Sequence, residues 1–157
     1  MKMDIGSLRH EPGEYESFDF HFNPTESIDD CDLLSDVHVT GDVTYGGNEF
    51  LLSGRLTAMA KLPCGRCLTP VEQEIALEFA EEFDETDFSE EDASLDLMDI
   101  ATQLWVTSIP MRSLCRDECK GLCPQCGKDL NEGDCDCPTV SVDPRLEVLK
   151  GFVPETE

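Results

Sequence analysis

The stretch Val37-His38-Val39-Thr40-Gly41-Asp42-Val43-Thr44-Tyr45-Gly46-Gly47-Asn48-Glu49-Phe50 alternates apolar and polar residues, then breaks at a turn. Val37, Val39, Gly41, Val43 and Tyr45 fall on one face, and His38, Thr40, Asp42 and Thr44 on the other. A period of two is that of a half-buried strand. Gly46-Gly47-Asn48 is a hairpin turn, because glycine and asparagine tolerate the positive φ that tight connections need. The return strand places Phe50, Leu52, Leu56, Ala58 and Leu62 against Ser53, Arg55, Thr57 and Lys61.

Working outward, residues 14–22 alternate in the same way, with Phe18, Phe20 and Phe22 opposite Ser17, Asp19 and His21. After Cys64-Gly-Arg66-Cys67, a further strand runs over about 71–83, with Val71, Ile75, Leu77, Phe79 and Phe83 opposite Glu72, Glu74 and Glu78. Short connections between such strands make an antiparallel sheet. Asp96 caps a predicted helix with Leu97, Ile100, Ala101, Leu104 and Ser108 on one stripe and Trp105 at its border; Pro110 closes it. The fold class is α+β: a curved antiparallel sheet of about four strands, a covering helix and a cysteine-rich C-terminal lobe. The expected divisions are a sheet domain over 1–83, an acidic linker over 84–95, the helix over 96–110 and the lobe over 111–157. In the run 81–92, eight of twelve residues are acidic, a composition that reads as solvated. Asp143-Pro144 and Gly151 bracket a short closing helix.

Six of the nine cysteines lie between Leu114 and Pro138. Cys123-Pro-Gln-Cys126-Gly127 is a knuckle, and Cys135-Asp-Cys137 offers a second, tighter pair. Two short-spaced thiolate pairs match the ligand set of a closed tetrahedral Zn2+ site, with Asn131-Glu-Gly133 turning the chain between them. Of the rest, Cys31 stands alone in an acidic loop. Cys64, Cys67, Cys115 and Cys119 are two half-sites. Joined, they bind a second zinc ion and tie the sheet turn to the lobe, with Cys115 and Cys119 on one side of a helical turn. A single zinc, with these four as reduced thiols or with Cys64, Cys67, Cys123 and Cys126 as a mixed set, is the alternative. No apolar leader run follows Met1, so the expected location is the reducing cytoplasm, where dense cysteines read as metal ligands rather than disulfides. The spacings differ from those usual for iron–sulfur clusters.

Formal net charge is −24, and residues 1–110 account for −20 of it, with 25 acidic and 5 basic side chains. Such a field repels phosphate backbones and attracts basic proteins. No stretch reaches the length of a membrane span. No catalytic constellation emerges: His10, His21 and His38 read as surface residues, and Cys64-Gly-Arg-Cys67 sits in a strand turn rather than at the helix N-terminus that thioredoxin-like chemistry needs.

Cys64-x-Arg66-Cys67-Leu68 after a strand, the helix ending at Pro110, and the run Leu114-Cys115-x3-Cys119-Lys-Gly-Leu-Cys123-Pro-x-Cys126-Gly-x2-Leu130-Asn131-x3-Cys135-x-Cys137 resemble the YceD family. So does the closing Asp143-Pro144-Arg145-Leu146-x2-Leu149. The resemblance spans nearly the whole chain and implies a cytoplasmic factor needed for normal levels of large-subunit rRNA; with no catalytic constellation in the sequence, the expected role is non-enzymatic, acting by binding. The expected partner is a basic ribosomal protein or assembly factor. Arg66, Arg116 and Lys120 are the candidate partner-contacting residues. Two other classes compete: a zinc-ribbon regulator binding nucleic acid directly, which needs a basic patch, and a thiol redox or zinc-transfer protein, which needs solvent-open cysteines.

Overall fold

The hairpin that turns at Gly46–Asn48 lies at the centre of the main sheet. The computed structural model describes residues 1–10, 13–24, 31–89, 93–137 and 145. In it β4 (Val37–Tyr45) and β5 (Glu49–Pro63) pair antiparallel, with Gly46 N–H donating to the Glu49 carbonyl at 2.9 Å to close the turn. β2 (Tyr15–Phe22) pairs with β4, and β6 (Pro70–Asp84) runs along the whole of β5. β3 (Asp32–Leu33) pairs with β5 at Lys61 and Ala60. The sheet is open and five-stranded, where about four strands were expected; β3 is too short to leave an alternation in the sequence. A separate two-stranded sheet joins β1 (Lys2–Asp4) to β7 (Ser94–Asp96), again through segments too short to announce themselves.

The inward positions of the alternation become the core. Val37, Val39, Val43, Phe50, Leu52 and Leu56 are buried on one sheet face, and Ile5, Leu8, Ala93, Leu95 and the helix cover them. Phe18, Gly41, Gly54 and Phe79 form one cross-strand row. A Cβ on Gly41 would lie 2.2 Å from the Ser53 carbonyl oxygen and 2.6 Å from Phe18 Cζ; one on Gly54 would lie 2.3 Å from the Thr40 carbonyl oxygen and 2.8 Å from Phe79 Cζ. Only glycine fits at either position, and the phenyl groups of the flanking strands supply the apolar cover that glycine lacks.

α1 (Leu97–Ser108) starts at its expected cap: Asp96 Oδ1 accepts from the amides of Met98 at 3.1 Å and Asp99 at 3.4 Å. Its buried stripe is Leu97, Ala101 and Trp105. Trp105, expected at the border, is 1% exposed and sits inside the contact. The i, i+4, i+8 row lies at the centre of the stripe, and Ile100 and Leu104 form its half-buried shoulder.

The stretch expected to be a solvated acidic linker carries packed contacts. β6 holds Glu81, Glu82 and Asp84, and Asp84 Oδ1 caps a 3-10 turn (Glu85–Asp87) by accepting from the Thr86 amide at 2.9 Å. Glu85 pairs with Arg9 Nε at 3.2 Å and accepts from the Tyr45 hydroxyl at 2.7 Å, an arrangement that raises the Tyr45 pKa. Phe88 stands edge-on to Phe50 at 5.4 Å. These partners come from distant segments, so local acidic composition conceals them. The closing helix expected over 143–151 lies outside the described residues, Arg145 excepted. Among the described residues, no helix is long and apolar enough to cross a membrane.

Candidate metal centres

The first centre is built on the β5–β6 turn. Cys64 N–H donates to the Thr69 carbonyl at 2.8 Å, and Leu68 N–H returns to the Cys64 carbonyl at 2.9 Å. Leu68 takes φ +62°, the one described non-glycine residue at positive φ. The chain re-enters after α1, where Ser113 forms a parallel bridge with Cys64 and accepts the Gly65 amide at 2.8 Å. Ser113 is buried, and its hydroxyl donates to Gln73 Oε1 at 3.3 Å. This docking carries Cys115 and Cys119 over the turn. Cys119 N–H bonds the Arg116 carbonyl at 3.1 Å, so the two cysteines are joined by a tight turn rather than the expected helical one.

The sulfur atoms of Cys64, Cys67, Cys115 and Cys119 all lie within 4.8 Å of one another. Cys67 to Cys115 is 3.6 Å and Cys64 to Cys119 is 3.9 Å. Zinc–sulfur bonds of about 2.3 Å give a tetrahedron with edges of about 3.8 Å, which those separations bracket. They are far too long for disulfides, and the cage is sized for one ion. Cys64, Cys67 and Cys119 are buried, and Val71, Leu114 and Leu122 pack around them.

The second centre is local. Cys123 N–H donates to the Lys128 carbonyl at 2.8 Å, and Gly127 N–H to the Cys123 carbonyl at 2.9 Å, curling the knuckle as its sequence implies. Leu122 and Asp129 close it as an antiparallel bridge. Cys123, Cys126, Cys135 and Cys137 bring their sulfur atoms within 4.8 Å of one another. Cys123 is buried, Cys135 and Cys137 are half-buried, and Cys126 is exposed. The structure therefore groups the eight cysteines as the two-site reading has them, and not as the mixed set.

Two residues bind the lobe together in ways the sequence did not disclose. Asn131, read as a turn residue, accepts the Lys120 amide at 2.8 Å through its carbonyl oxygen and donates from Nδ2 to Cys119 Sγ at 3.4 Å. It thus reaches from the loop of the second centre to a ligand of the first. Arg66, expected to face a partner, donates to the carbonyls of Cys119 at 2.7 Å and Asp117 at 3.3 Å. Its own carbonyl accepts from Leu122 N–H at 3.1 Å. Between them Gly121 sits at φ +79°, where a Cβ would lie 2.9 Å from the Arg66 carbonyl oxygen. Arg116 and Lys120 are exposed, with Lys120 Nζ 3.9 Å from Asp134 Oδ1. No local pattern could have found Asn131, because its partners are set by how the two knuckles stack.

Backbone amides prepare the sulfurs. The N–H groups of Cys115, Cys67 and Arg66 lower the Cys64 thiol to about 6. Those of Cys126 and Gln125 lower Cys123 to about 6. Burial pushes Cys119 up, but the Asn131 amide, the Gly121 N–H and neighbouring thiols outweigh it and leave it lowered. Loss of water around its sulfur, then hydrogen bonds that its S–H donates to the sulfurs of Cys119, Cys67 and Cys64, push Cys115 up to about 12. Hydrogen bonding with Cys126, then burial, does the same to Cys137, which rises to about 12. Each cluster thus holds readily ionised thiols beside others kept protonated by their neighbours. A divalent cation at the centre removes that repulsion and favours four thiolates. Cys31 takes no part: it is half-buried against the main core, its thiol raised by burial and by Asp32.

Among the described residues, an open antiparallel sheet under one helix, extended by two four-cysteine cages sized for metal ions, defines an α+β protein. The family model for the large ribosomal RNA subunit accumulation protein YceD matches residues 52–153, and the chain belongs to that family. It is also 31% identical to the uncharacterized protein Rv2926c of Mycobacterium tuberculosis over 150 residues, covering 83% of this chain and 70% of that one. The uncharacterized protein Mb2951c of Mycobacterium bovis matches with the same identity and coverage. No solved structure matches.

Proposed function

We propose that the protein is a non-enzymatic factor supporting large-subunit rRNA accumulation, with one structural zinc ion in each cysteine cage and an acidic surface that engages a basic ribosomal or assembly protein. Membership of the YceD family is the observation that carries the ribosomal part of this reading. The cages support the metal: Cys64, Cys67, Cys115 and Cys119 would hold one ion, and Cys123, Cys126, Cys135 and Cys137 the other. With four thiolates around it, the ion's shell is full, and what it supplies is a crosslink rather than a reactive site. Three buried ligands in the first cage argue against a thiol-exchange or metal-delivery role, which calls for accessible sulfur.

The partner assignment rests on charge. Glu72, Glu74, Glu78 and Glu82 are exposed on β6, and Asp19 and Asp42 carry the same sign on the solvent face of β2 and β4. Tetrathiolate zinc adds about two negative charges per site. Direct RNA binding would have to work against this field through few basic side chains, and Arg66, though exposed, is already engaged by the Cys119 and Asp117 carbonyls. The test is the ratio of large- to small-subunit rRNA in cells lacking the protein, with and without a restored copy. The ratio is expected to fall and to recover on complementation. An unchanged ratio would overturn the ribosomal reading, and submicromolar binding of the purified protein to large-subunit rRNA fragments at physiological salt would overturn the protein-partner reading.

A further inference from the structure

Away from both cages, on the solvent face of the sheet, three metal-binding side chains converge. His21 and His38 are register partners on β2 and β4, and their rings stack 4.1 Å apart, 8° from parallel. Asp19 lies two residues before His21 and so on the same face, and its Oδ1 is 2.9 Å from His38 Nε2. One donor atom from each of the three lies within 4.8 Å of the others.

We propose that Asp19, His21 and His38 form a surface site for a late first-row divalent metal ion, distinct from the cysteine cages. Metal–nitrogen bonds of about 2.1 Å place neighbouring donors roughly 3.0–3.4 Å apart; Asp19 and His38 already stand at 2.9 Å, and the stacked rings, with donors within 4.8 Å, would tilt toward a shared ion. All three residues stand on paired strands rather than loops, so the backbone holds their spacing. Two imidazole nitrogens with one carboxylate oxygen favour Ni2+, Cu2+ or Zn2+ over Mg2+ or Ca2+, which prefer all-oxygen shells. With three protein ligands the ion keeps open positions, unlike an ion in either cage. Among the described residues β2 pairs only with β4 in the main sheet, so the ion would clip an edge strand to its neighbour. The strongly negative charge of the chain raises the local concentration of any cation.

Paramagnetic Ni2+ titrated into the full-length, zinc-loaded protein tests this, read by backbone amide spectra. Equimolar Ni2+ is expected to broaden signals around residues 19–21 and 38–40, while excess Mg2+ leaves them unchanged. His21→Ala and His38→Ala are expected to weaken the effect by roughly tenfold or more, and Asp19→Asn less. His21 and Asp19 are exposed, so their variants keep the fold and remain informative if His38→Ala does not. Localised broadening lost in His21→Ala supports the site. Broadening that is absent, confined to the cysteine lobe, spread along the acidic strands, or unchanged in His21→Ala overturns it.

Discussion

The two cysteine cages share a donor set and differ in what they join. The first takes Cys64 and Cys67 from a sheet turn and Cys115 and Cys119 from the far side of α1; three of its ligands are buried. The second draws all four ligands from residues 123–137, with a single buried sulfur and a cavity of about 210 Å3 beside Cys123, Cys135 and Cys137. Closing a long loop removes more freedom from the unfolded chain than closing a short one. Loaded with metal as proposed, the first cage would fix the lobe to the sheet, and the second would shape the tip of the lobe. The same chemistry is architectural in one place and local in the other.

The largest expected effect breaks this pair apart. A structural zinc contributes on the order of 10 kcal/mol to folding in isolated fingers. Cys64→Ser is expected to expose amides in both 64–69 and 113–122, because the docking of Ser113 and the turn that carries Cys115 and Cys119 depend on the first cage. Cys126→Ser is expected to expose only 123–137. Hydrogen exchange reads both; equal footprints would erase the distinction drawn between the cages. Trp105→Ala provides the converse case. Removing a fully buried indole costs about 3–5 kcal/mol, so the melting temperature is expected to fall while the cages stay loaded, and loss of metal in this variant would show that sheet and lobe do not separate. The smallest expected change sharpens the contact between the cages. Asn131→Ala deletes the bonds to Lys120 N–H and Cys119 Sγ, at about 1–3 kcal/mol. Chelators are then expected to strip the first cage faster; unchanged release from both would show that Asn131 serves only its own loop.

What the sequence made legible follows the same divide between local and distant. The alternations of β2, β4, β5 and β6 can be read because a half-buried strand writes its period into consecutive residues. The Asp96 cap and the Cys123–Cys126 knuckle are equally local. The joining of Cys64 and Cys67 to Cys115 and Cys119 could only be posed as one of several groupings, since it depends on where the chain re-enters after α1. Glu85 illustrates the reverse error. Its acidic surroundings suggest solvent, yet Arg9 and Tyr45 hold it, and neither lies nearby in sequence. Trp105 was displaced by one position on the helical wheel, because a stripe of five half-apolar candidates does not reveal which row faces the sheet.

Native mass spectrometry counts the metal ions held by the two cages. Two zinc ions are expected on the wild-type chain, one on Cys64→Ser and one on Cys126→Ser. A single ion on the wild type, or loss of both ions in Cys126→Ser, would contradict two independent cages and return the cysteines to a single or mixed site.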